Sequence, residues 1–213
     1  ILREYGTPQR FFAAAERGAV LPEFLPDKAK DAIAAAASSA RVAEVVRELA
    51  HKSIRAVTRL DEEYPDSLTV IEYPPPVLFV RGSLAGLNKT IGIVGTRRCT
   101  RRGAEAAKAI AAELGKAAYT VISGMARGID SAAHSGAIEA GAPTGAVLGC
   151  GVDVGYPAEN LRIYDAAVQN GAVISELPPG TQPLAANFPV RNRIIAALSR
   201  GLLVAESALT GGT

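Results

Sequence analysis

The chain has few of the residues that usually build catalytic or metal-binding sites. Its 213 residues include no Trp, one Met, two Cys and two His. Cys99 and Cys150 lack CxxC spacing, so neither a disulfide framework nor a zinc site is expected. With only His51 and His134 available, a Ser-His-Asp or Cys-His arrangement has few ways to form. We therefore expect no catalytic residues and no bound metal.

Long apolar runs and a targeting segment are also missing. No apolar stretch is long enough to cross a bilayer, so no membrane association is expected. The chain begins ILREYG, without the charged and then apolar pattern of a secretory leader. Together with the low cysteine content, this predicts a cytoplasmic location.

The sequence does contain apolar β-runs, each followed at once by a Gly-rich polar turn. The four clearest are IGIVGTRR at 91–98, VISGMARG at 121–128, AVLGCGVD at 146–153 and AVISELPPG at 172–180. They alternate with helical patterns such as GAEAAKAIAAELGKA, which specifies a parallel sheet buried on both faces. Strands are predicted at 91–95, 119–123, 144–149, 171–175 and 202–205. Residues 53–213 therefore predict an α/β domain with a doubly wound, mostly parallel, Rossmann-like sheet.

The first part of the chain follows a different pattern. Residues 1–52 place Ala, Ile and Val at helical spacing between charges, which predicts a small helical domain. Residues 53–88 are extended and Pro-rich, and they contain a predicted strand, PVLFVRG. We interpret this stretch as a connector that belongs to the second domain.

Basic residues are concentrated in the turns after the predicted strands. The turns and the FPVRNR segment together carry Arg97, Arg98, Arg101, Arg102, Arg127, Arg191 and Arg193. Turns that follow parallel strands share one edge of the sheet, so one ligand could contact several of them. Guanidinium groups beside exposed backbone N–H groups suit phosphate oxygens, which indicates a nucleotide or a nucleic-acid backbone. Any single Arg-rich turn is equally consistent with a solvated loop.

No cofactor motif accompanies these turns. IGIVGTRRCTRRG lacks the G-x-G-x-x-G spacing, no acidic residue ends the second strand, and no Walker A sequence occurs, so no cofactor is expected. Asp153 and Glu176 follow strands at the shared edge, either as an acid and a base or as carboxylates that hold turns. His134 is predicted to be a helix residue bonded to a neighbouring turn rather than a general base.

Longer motifs resemble a known family. SGMARGIDSAAHSGAIEAG, AVLGCGVDVGYPAENLRIY, ISELPPGTQPLAANFPVRNRIIAALS and YPPPVLFVRG look like the DNA-processing protein A (DprA/Smf) family of bacterial natural transformation. The resemblance spans about residues 55–207, and YGTPQRFFAAAERG is similar to that family's helical module of SAM-like or helix-hairpin-helix type. It implies a non-enzymatic homodimer that binds and protects single-stranded DNA and loads the RecA recombinase onto it. Family members usually continue beyond the VAES strand, so we expect the sequence to be part of a longer protein.

The resemblance also suggests which residues contact DNA. It implies a phosphate-contacting turn at 95–97, a second turn at 123–128 and a base contact near Phe188. With the basic residues of the same regions, the predicted contacts are Gly95, Thr96, Arg97, Arg98, Ser123, Gly124, Arg127, Gly128, Phe188, Arg191, Asn192 and Arg193. Guanidinium and N–H groups would hold phosphates while Phe188 stacks on a base of any identity. A core position for Phe188 stays equally open.

An enzymatic alternative also stays open. Related Rossmann-like proteins hydrolyse the N-glycosidic bond of nucleoside monophosphates with an Arg and a Glu at this sheet edge, and the chain offers Arg127 and Glu176. The Pro-Gly-Gly-x-Gly-Thr motif that those hydrolases share is missing, and TGGT at 210–213 is too short to count. A purely architectural oligomer would leave the basic edge unexplained.

Overall fold

The alternation of strands and helices in the sequence produces a mixed seven-stranded sheet in a computed structural model of the protein. The structure describes residue 5 and residues 8–36 and 39–208. Contacts divide the chain into two compact units, Ile1–Lys52 and Ser53–Thr213. Among the residues described, none of the helices combines the length and apolarity that crossing a bilayer requires.

The described part of the first unit is helical. It contains α1 (Pro8–Glu16), α2 (Asp27–Ala36) and α3 (Ser39–His51). Phe11 is buried and makes edge-to-face contacts with Tyr5 and Phe12, at centroid distances of 5.1 and 5.5 Å. This geometry is favourable for aromatic pairs. The SAM-like or helix-hairpin-helix type of this unit stays a prediction, and Gly6 and Thr7 of its predicted first helix lie outside the described residues.

The second unit is built on the sheet. Its described strands are β1 (Arg55–Thr58), β2 (Val77–Gly82), β3 (Thr90–Gly95), β4 (Thr120–Ser123), β5 (Thr144–Val147), β6 (Gly171–Ser175) and β7 (Leu202–Glu206). They lie in the order β1-β2-β6-β5-β4-β3-β7. The pairs among β3 to β7 are parallel, while β1 and β2 run antiparallel at one side. All residues of β4 and β5 are buried, as their continuous apolar character requires.

Helices cover both faces of this sheet. They are α4 (Asp66–Thr69), α5 (Arg101–Lys116), α6 (Ile129–Glu139), a 3₁₀ turn (Ala158–Asn160), α7 (Leu161–Gln169) and α8 (Asn187–Leu198). On one face, Ala107 and Ala111 of α5 and Ala133 of α6 pack with Ile93 and Val121 of the sheet. On the other face, α8 buries Ile194, Ile195 and Leu198 against β2, β4, β5 and β6. The predicted α/β class with a mostly parallel sheet is confirmed.

The end of one strand and the start of one helix differ from the prediction by two or more residues. The strand predicted at 144–149 ends at Val147, because Gly149 and Cys150 already belong to the following turn. The last helix begins at Asn187, ahead of the RNRIIAALSRG segment predicted to form it. Pro189 is tolerated there, since a Pro in the first helical turn sacrifices no intrahelical hydrogen bond. Phe188 therefore lies in the same helix as Arg191 and Arg193.

His134 joins α6 to the sheet in the middle of the core. It is fully buried, and its Nδ1 lies 2.7 Å from Oγ1 of Thr144. The Thr144 hydroxyl donates to the carbonyl oxygen of Val121 at 2.8 Å, so the imidazole Nδ1–H is the donor to Thr144. Burial lowers the pKa of His134 from 6.5 to about 3, aided by the positive charge of Arg191. The ring is thus neutral in the folded protein.

We predict that His134 lowers the free energy of unfolding of the protein at acidic pH. Between pH 6.5 and pH 3 the unfolded chain binds a proton at this position and the folded chain does not. The contribution of His134 to the free energy of unfolding is therefore full above pH 6.5 and is lost as the pH falls toward 3. In urea denaturation, His134→Gln should show a shallower loss of stability from pH 6.5 to 4.5 than the wild type, whatever its stability at pH 7. An unchanged slope would contradict this assignment.

Candidate nucleic-acid interface

The carboxyl ends of β3 and β4 meet the first turns of α8 around an open cavity of about 490 Å³. Its lining is Val94, Gly95, Thr96, Arg97, Arg98, Ala126, Asp130, Ala185, Phe188, Pro189, Arg191, Asn192, Ile195, Ala196, Leu202 and Ala208. An adjoining cavity of about 50 Å³ shares Arg97, Ala126 and Phe188 and adds Gly124 and Arg127. The structure thus brings most of the predicted contacts to one edge. Ser123, Gly128 and Arg193 line neither cavity.

The turn after β3 is held by the neighbouring edge strand. Glu206, the last residue of β7, accepts hydrogen bonds from the backbone N–H and the hydroxyl of Thr100, at 2.9 and 2.7 Å. The Thr100 hydroxyl oxygen in turn accepts from the N–H of Gly103 and caps α5. Between these anchors, Arg97 and Arg98 are exposed. The fold therefore presents two guanidinium groups at the cavity from a fixed backbone.

The turn after β4 contributes backbone shape rather than side chains. The Ser123 hydroxyl is buried and donates to the carbonyl oxygen of Ile93 at 2.6 Å. Gly128 has a φ of +78°, and a Cβ there would lie 2.9 Å from the carbonyl oxygen of Arg97. Only glycine adopts this positive φ and fits this close to the Arg97 carbonyl without strain. Ser123 and Gly128 therefore set the path of the loop beneath Arg97.

Arg191 lines the cavity from below and is almost fully buried. Its side chain is buried, and Nη1 donates to the carbonyl oxygens of Gly124, at 2.8 Å, and Val147. The DNA contact predicted for Arg191 stays a prediction, and the structure directs its guanidinium from α8 into the protein. Its guanidinium joins the ends of β4 and β5 to α8.

Asp130 supplies the negative charge next to this buried guanidinium. It lies in the first turn of α6, and its Oδ2 accepts the N–H of Ala126 at 3.3 Å. Burial raises the pKa of Asp130 to about 6, although the charge of Arg191 and the hydrogen bonds act in the opposite direction. Sequence reasoning did not include Asp130 in the site. A carboxylate two residues after Gly128, in the opening turn of a helix, is the signal that pointed to it.

Phe188 is half-buried between two guanidinium groups. Its ring centroid lies 4.8 Å from Cζ of Arg97 and 5.8 Å from Cζ of Arg191. Both distances fall within the range of cation–π contacts. The ring borders both cavities and approaches the position of a Cβ on Gly149 to 3.0 Å. Phe188 is thus fixed in place yet accessible, which corresponds to neither a fully buried core residue nor a free aromatic.

The arginines further from the cavity are engaged in ion pairs. Both oxygens of Glu176 accept from Arg193, at 2.8 and 2.6 Å, in a fork-like pair that is mostly buried. Arg127 donates to Glu159 at 3.2 Å, and this pair is exposed. Arg127 and Glu176, the two groups that the hydrolase alternative requires, therefore lie in separate ion pairs.

Two further carboxylate and amide groups hold turns at this edge. Asp153 accepts the N–H of Gly180 at 2.6 Å, and so connects the turns that follow β5 and β6. Asn160 is buried, and its Nδ2 donates to the carbonyl oxygen of Met125 at 2.8 Å. Sequence reasoning missed Asn160, which lies 35 residues from its partner in the chain. Within residues 8–36 and 39–208, no cluster of three or more His, Cys, Asp and Glu side chains that could hold a metal ion occurs.

We predict that removing the Arg191 side chain destabilises the fold. Arg191→Met leaves the Asp130 carboxyl without its counter-charge and two carbonyl oxygens without a donor, which should lower the free energy of unfolding by about 3–5 kcal/mol. Adding Asp130→Asn should restore part of the loss, because no charge is then left unpaired. Urea denaturation at pH 7 measures both effects, with Arg200→Ala on the surface as the control. Wild-type stability in Arg191→Met would refute this role.

The sequence is similar to those of known proteins. The family described as DNA recombination-mediator protein A matches residues 55–213. The DNA processing protein DprA of Streptococcus pneumoniae is 42% identical over 155 residues, which cover 72% of this chain and 55% of that protein. Protein Smf of Synechocystis is 40% identical over 174 residues, 79% of this chain and 44% of that protein. The chain spans about half the length of the curated relatives it matches.

Solved structures agree with the sequence comparison. The X-ray structure of DNA processing protein A from Streptococcus pneumoniae superposes with a TM-score of 0.72 and 34% identity, covering 99% of this chain and 77% of that one. A structure of the Helicobacter pylori protein, described for its single-stranded DNA binding mode, gives a TM-score of 0.68 and 28% identity over 76% of this chain and 74% of that one. By sequence and by fold, the chain belongs to the DNA recombination-mediator protein A family.

Proposed function

We propose that this protein binds single-stranded DNA along the carboxyl edge of its sheet and processes DNA in natural transformation. The observation that carries the proposal is the cavity at which the exposed Arg97 guanidinium lies 4.8 Å from the Phe188 ring, with the exposed Arg98 in the same lining. Family membership supports it, as does a relative of similar fold whose structure is described for single-stranded DNA binding. The predicted site residues divide into three roles.

Phosphate contacts come from the exposed basic residues. Arg97 and Arg98 stand at the cavity, and their charge attracts a polyanion although the whole chain carries a net charge of only +2. Arg127 joins them at the smaller cavity. Its pair with Glu159 is exposed and weakly stabilising, so a phosphate can replace the carboxylate as its partner. Asn192, at the cavity, adds a polar contact.

A base contact comes from Phe188. Stacking on an aromatic face tolerates every base, since each base has a π-face. The bases of a duplex are already stacked on their neighbours, whereas those of a single strand can enter the cavity. An edge with phosphate-binding groups near an accessible ring therefore favours single-stranded DNA of any sequence.

The remaining predicted residues position these contacts. Ser123, Gly124 and Gly128 shape the turn, and Gly124 has no room for a side chain because a Cβ would lie 2.6 Å from Nη2 of Arg191. Arg191 supports the loop and Phe188 from below. Arg193, on α8, pairs with Glu176 away from the two cavities. Gly95 ends β3 at the cavity.

The proposal extends to the protein's wider role. A member of this family would act as a cytoplasmic homodimer that protects incoming DNA, loads the RecA recombinase onto it and catalyses no reaction itself. These statements rest on the family relationship. A second subunit would lengthen the electrostatic footprint along the DNA.

We predict that Arg97→Ala weakens binding to single strands of every base composition. If Arg97 neutralises one phosphate, its loss should reduce the slope of log affinity against log salt by roughly 0.7, the counterion release per contact on a single strand. Fluorescence anisotropy with a labelled oligonucleotide at several salt concentrations measures this. Arg200→Ala is the matched control, since Arg200 is exposed just before β7, at the opposite edge of the sheet. If Arg97→Ala and Arg200→Ala changed affinity and salt slope equally, the DNA would not bind at this cavity.

Phe188→Ala should act differently from Arg97→Ala. Losing one stacked base should cost about 1–3 kcal/mol of binding free energy and leave the salt slope unchanged, because stacking releases no counterion. Thermal unfolding is the control. Since the ring is half-buried, the loss of folding stability should stay below the roughly 3–5 kcal/mol of a core Phe. A large drop in melting temperature with unaltered affinity would show that Phe188 only packs.

A further inference from the structure

A second aromatic side chain borders the proposed site without a role in it. Tyr156 follows the turn after β5, and 39% of its surface is exposed. Its ring centroid lies 5.9 Å from that of Phe188, at an interplanar angle of 46°. It lines the smaller cavity together with Arg97 and the loop of Gly124 to Arg127. Tyr156 therefore stands beside both the predicted base contact and the predicted phosphate contacts.

The segment that carries Tyr156 is fastened to the turn after β4. Asn160 donates from its buried Nδ2 to the carbonyl oxygens of Met125 and Ala126, at 2.8 and 3.4 Å. One residue earlier, Glu159 pairs with Arg127 of the same turn. These contacts hold Tyr156 in register with a turn that is distant in sequence. A pre-positioned aromatic side chain loses little conformational entropy on binding.

The fold itself does not account for this tyrosine. The two rings are tilted, so neither covers the face of the other. In the part of the chain that the structure describes, the Tyr156 hydroxyl has no hydrogen-bond partner, in contrast to Tyr64 and Tyr164, whose hydroxyls donate to carbonyl oxygens. A large exposed aromatic ring beside a basic cavity is the usual composition of a site that stacks unpaired bases.

We infer that Tyr156 is a second base-contacting residue, so that neighbouring bases of one strand lie on Phe188 and on Tyr156. The inference rests on the proposed function and makes it more specific. Arg97 lines both cavities and Arg127 the smaller one, so they hold the phosphates on either side of the Tyr156-bound base. The site would then contact at least two nucleotides without sequence preference, because stacking and phosphate contacts are possible with any base.

The test compares three substitutions of Tyr156 in anisotropy titrations with a labelled single-stranded oligonucleotide. Tyr156→Ala should weaken binding by about 5-fold or more at an unchanged salt slope, the effect of one lost stacking contact. Tyr156→Phe keeps the ring and should bind within about 2-fold of the wild type, since the hydroxyl is not required. Tyr156→Leu keeps apolar bulk without a π-face and should remain as weak as Tyr156→Ala.

A matched control is available at the other edge of the sheet. Tyr119 is half-buried. It lies against a cation, with Nζ of Lys89 at 4.1 Å from its ring centroid. Tyr119→Ala should leave DNA affinity unchanged. A 2-aminopurine base in the oligonucleotide reports stacking directly, and its quenching on binding should decrease in Tyr156→Ala but not in Tyr119→Ala. Thermal unfolding of each variant separates loss of fold from loss of contact.

The outcomes separate this inference from the proposed function. If the wild type does not bind single strands, the proposed function itself fails. If the wild type binds and Arg97→Ala weakens binding, but Tyr156→Ala binds as the wild type does, only the role of Tyr156 is overturned. Restored affinity in Tyr156→Leu would likewise overturn it, because the tyrosine would then merely support Phe188. If Tyr156→Ala does not fold, the DNA affinities of Tyr156→Phe and Tyr156→Leu are compared instead. Equal affinities would overturn the role of Tyr156.

Discussion

The carboxyl edge of the sheet depends on the hydrogen bonds of one buried guanidinium group. Arg191 reaches from α8 to the carbonyl oxygens of Gly124 and Val147, which lie where β4 and β5 end. A buried cation is tolerable only when it is hydrogen-bonded and has a counter-charge nearby, and Asp130 provides that charge from α6. Helices from the two faces of the sheet are thereby coupled at the position of the cavity. The glycine at position 124 is a consequence, since the guanidinium occupies the space of a side chain.

The same arrangement separates positioning from recognition. Charges that face solvent, such as Arg97 and Arg98, stay available to a ligand because other groups hold the backbone beneath them. Glu206 fixes the turn after β3 without using Arg97 or Arg98, and Asn160 fixes the turn after β4 together with the exposed Arg127–Glu159 pair. Phosphate recognition requires little reorganisation in such a site, which favours binding because the conformational cost has already been met on folding.

Carboxylates at this edge accept hydrogen bonds from neighbouring protein groups. Glu176 is bound by Arg193 through both oxygens, and Asp153 accepts a backbone N–H group. Each of these carboxylates thus holds a neighbouring group in place. Arg127 and Glu176, which the hydrolytic interpretation requires together, lie in separate ion pairs.

The sequence by itself determined the sheet and the edge at which the basic turns meet. Apolar runs such as 121–123 and 144–147 are buried on both faces, and only a parallel sheet covered by helices satisfies that requirement. Local pattern also pointed to Arg97, and the family resemblance pointed to Phe188. Only the tertiary structure decided that Arg191 is buried while Arg97 is exposed, because burial depends on where α8 begins and on which elements pack over it. The contacts of Asn160 and Tyr156 were likewise invisible in the sequence, since the partners Met125, Arg127 and Phe188 are 29 to 35 residues away and no periodicity encodes such distances.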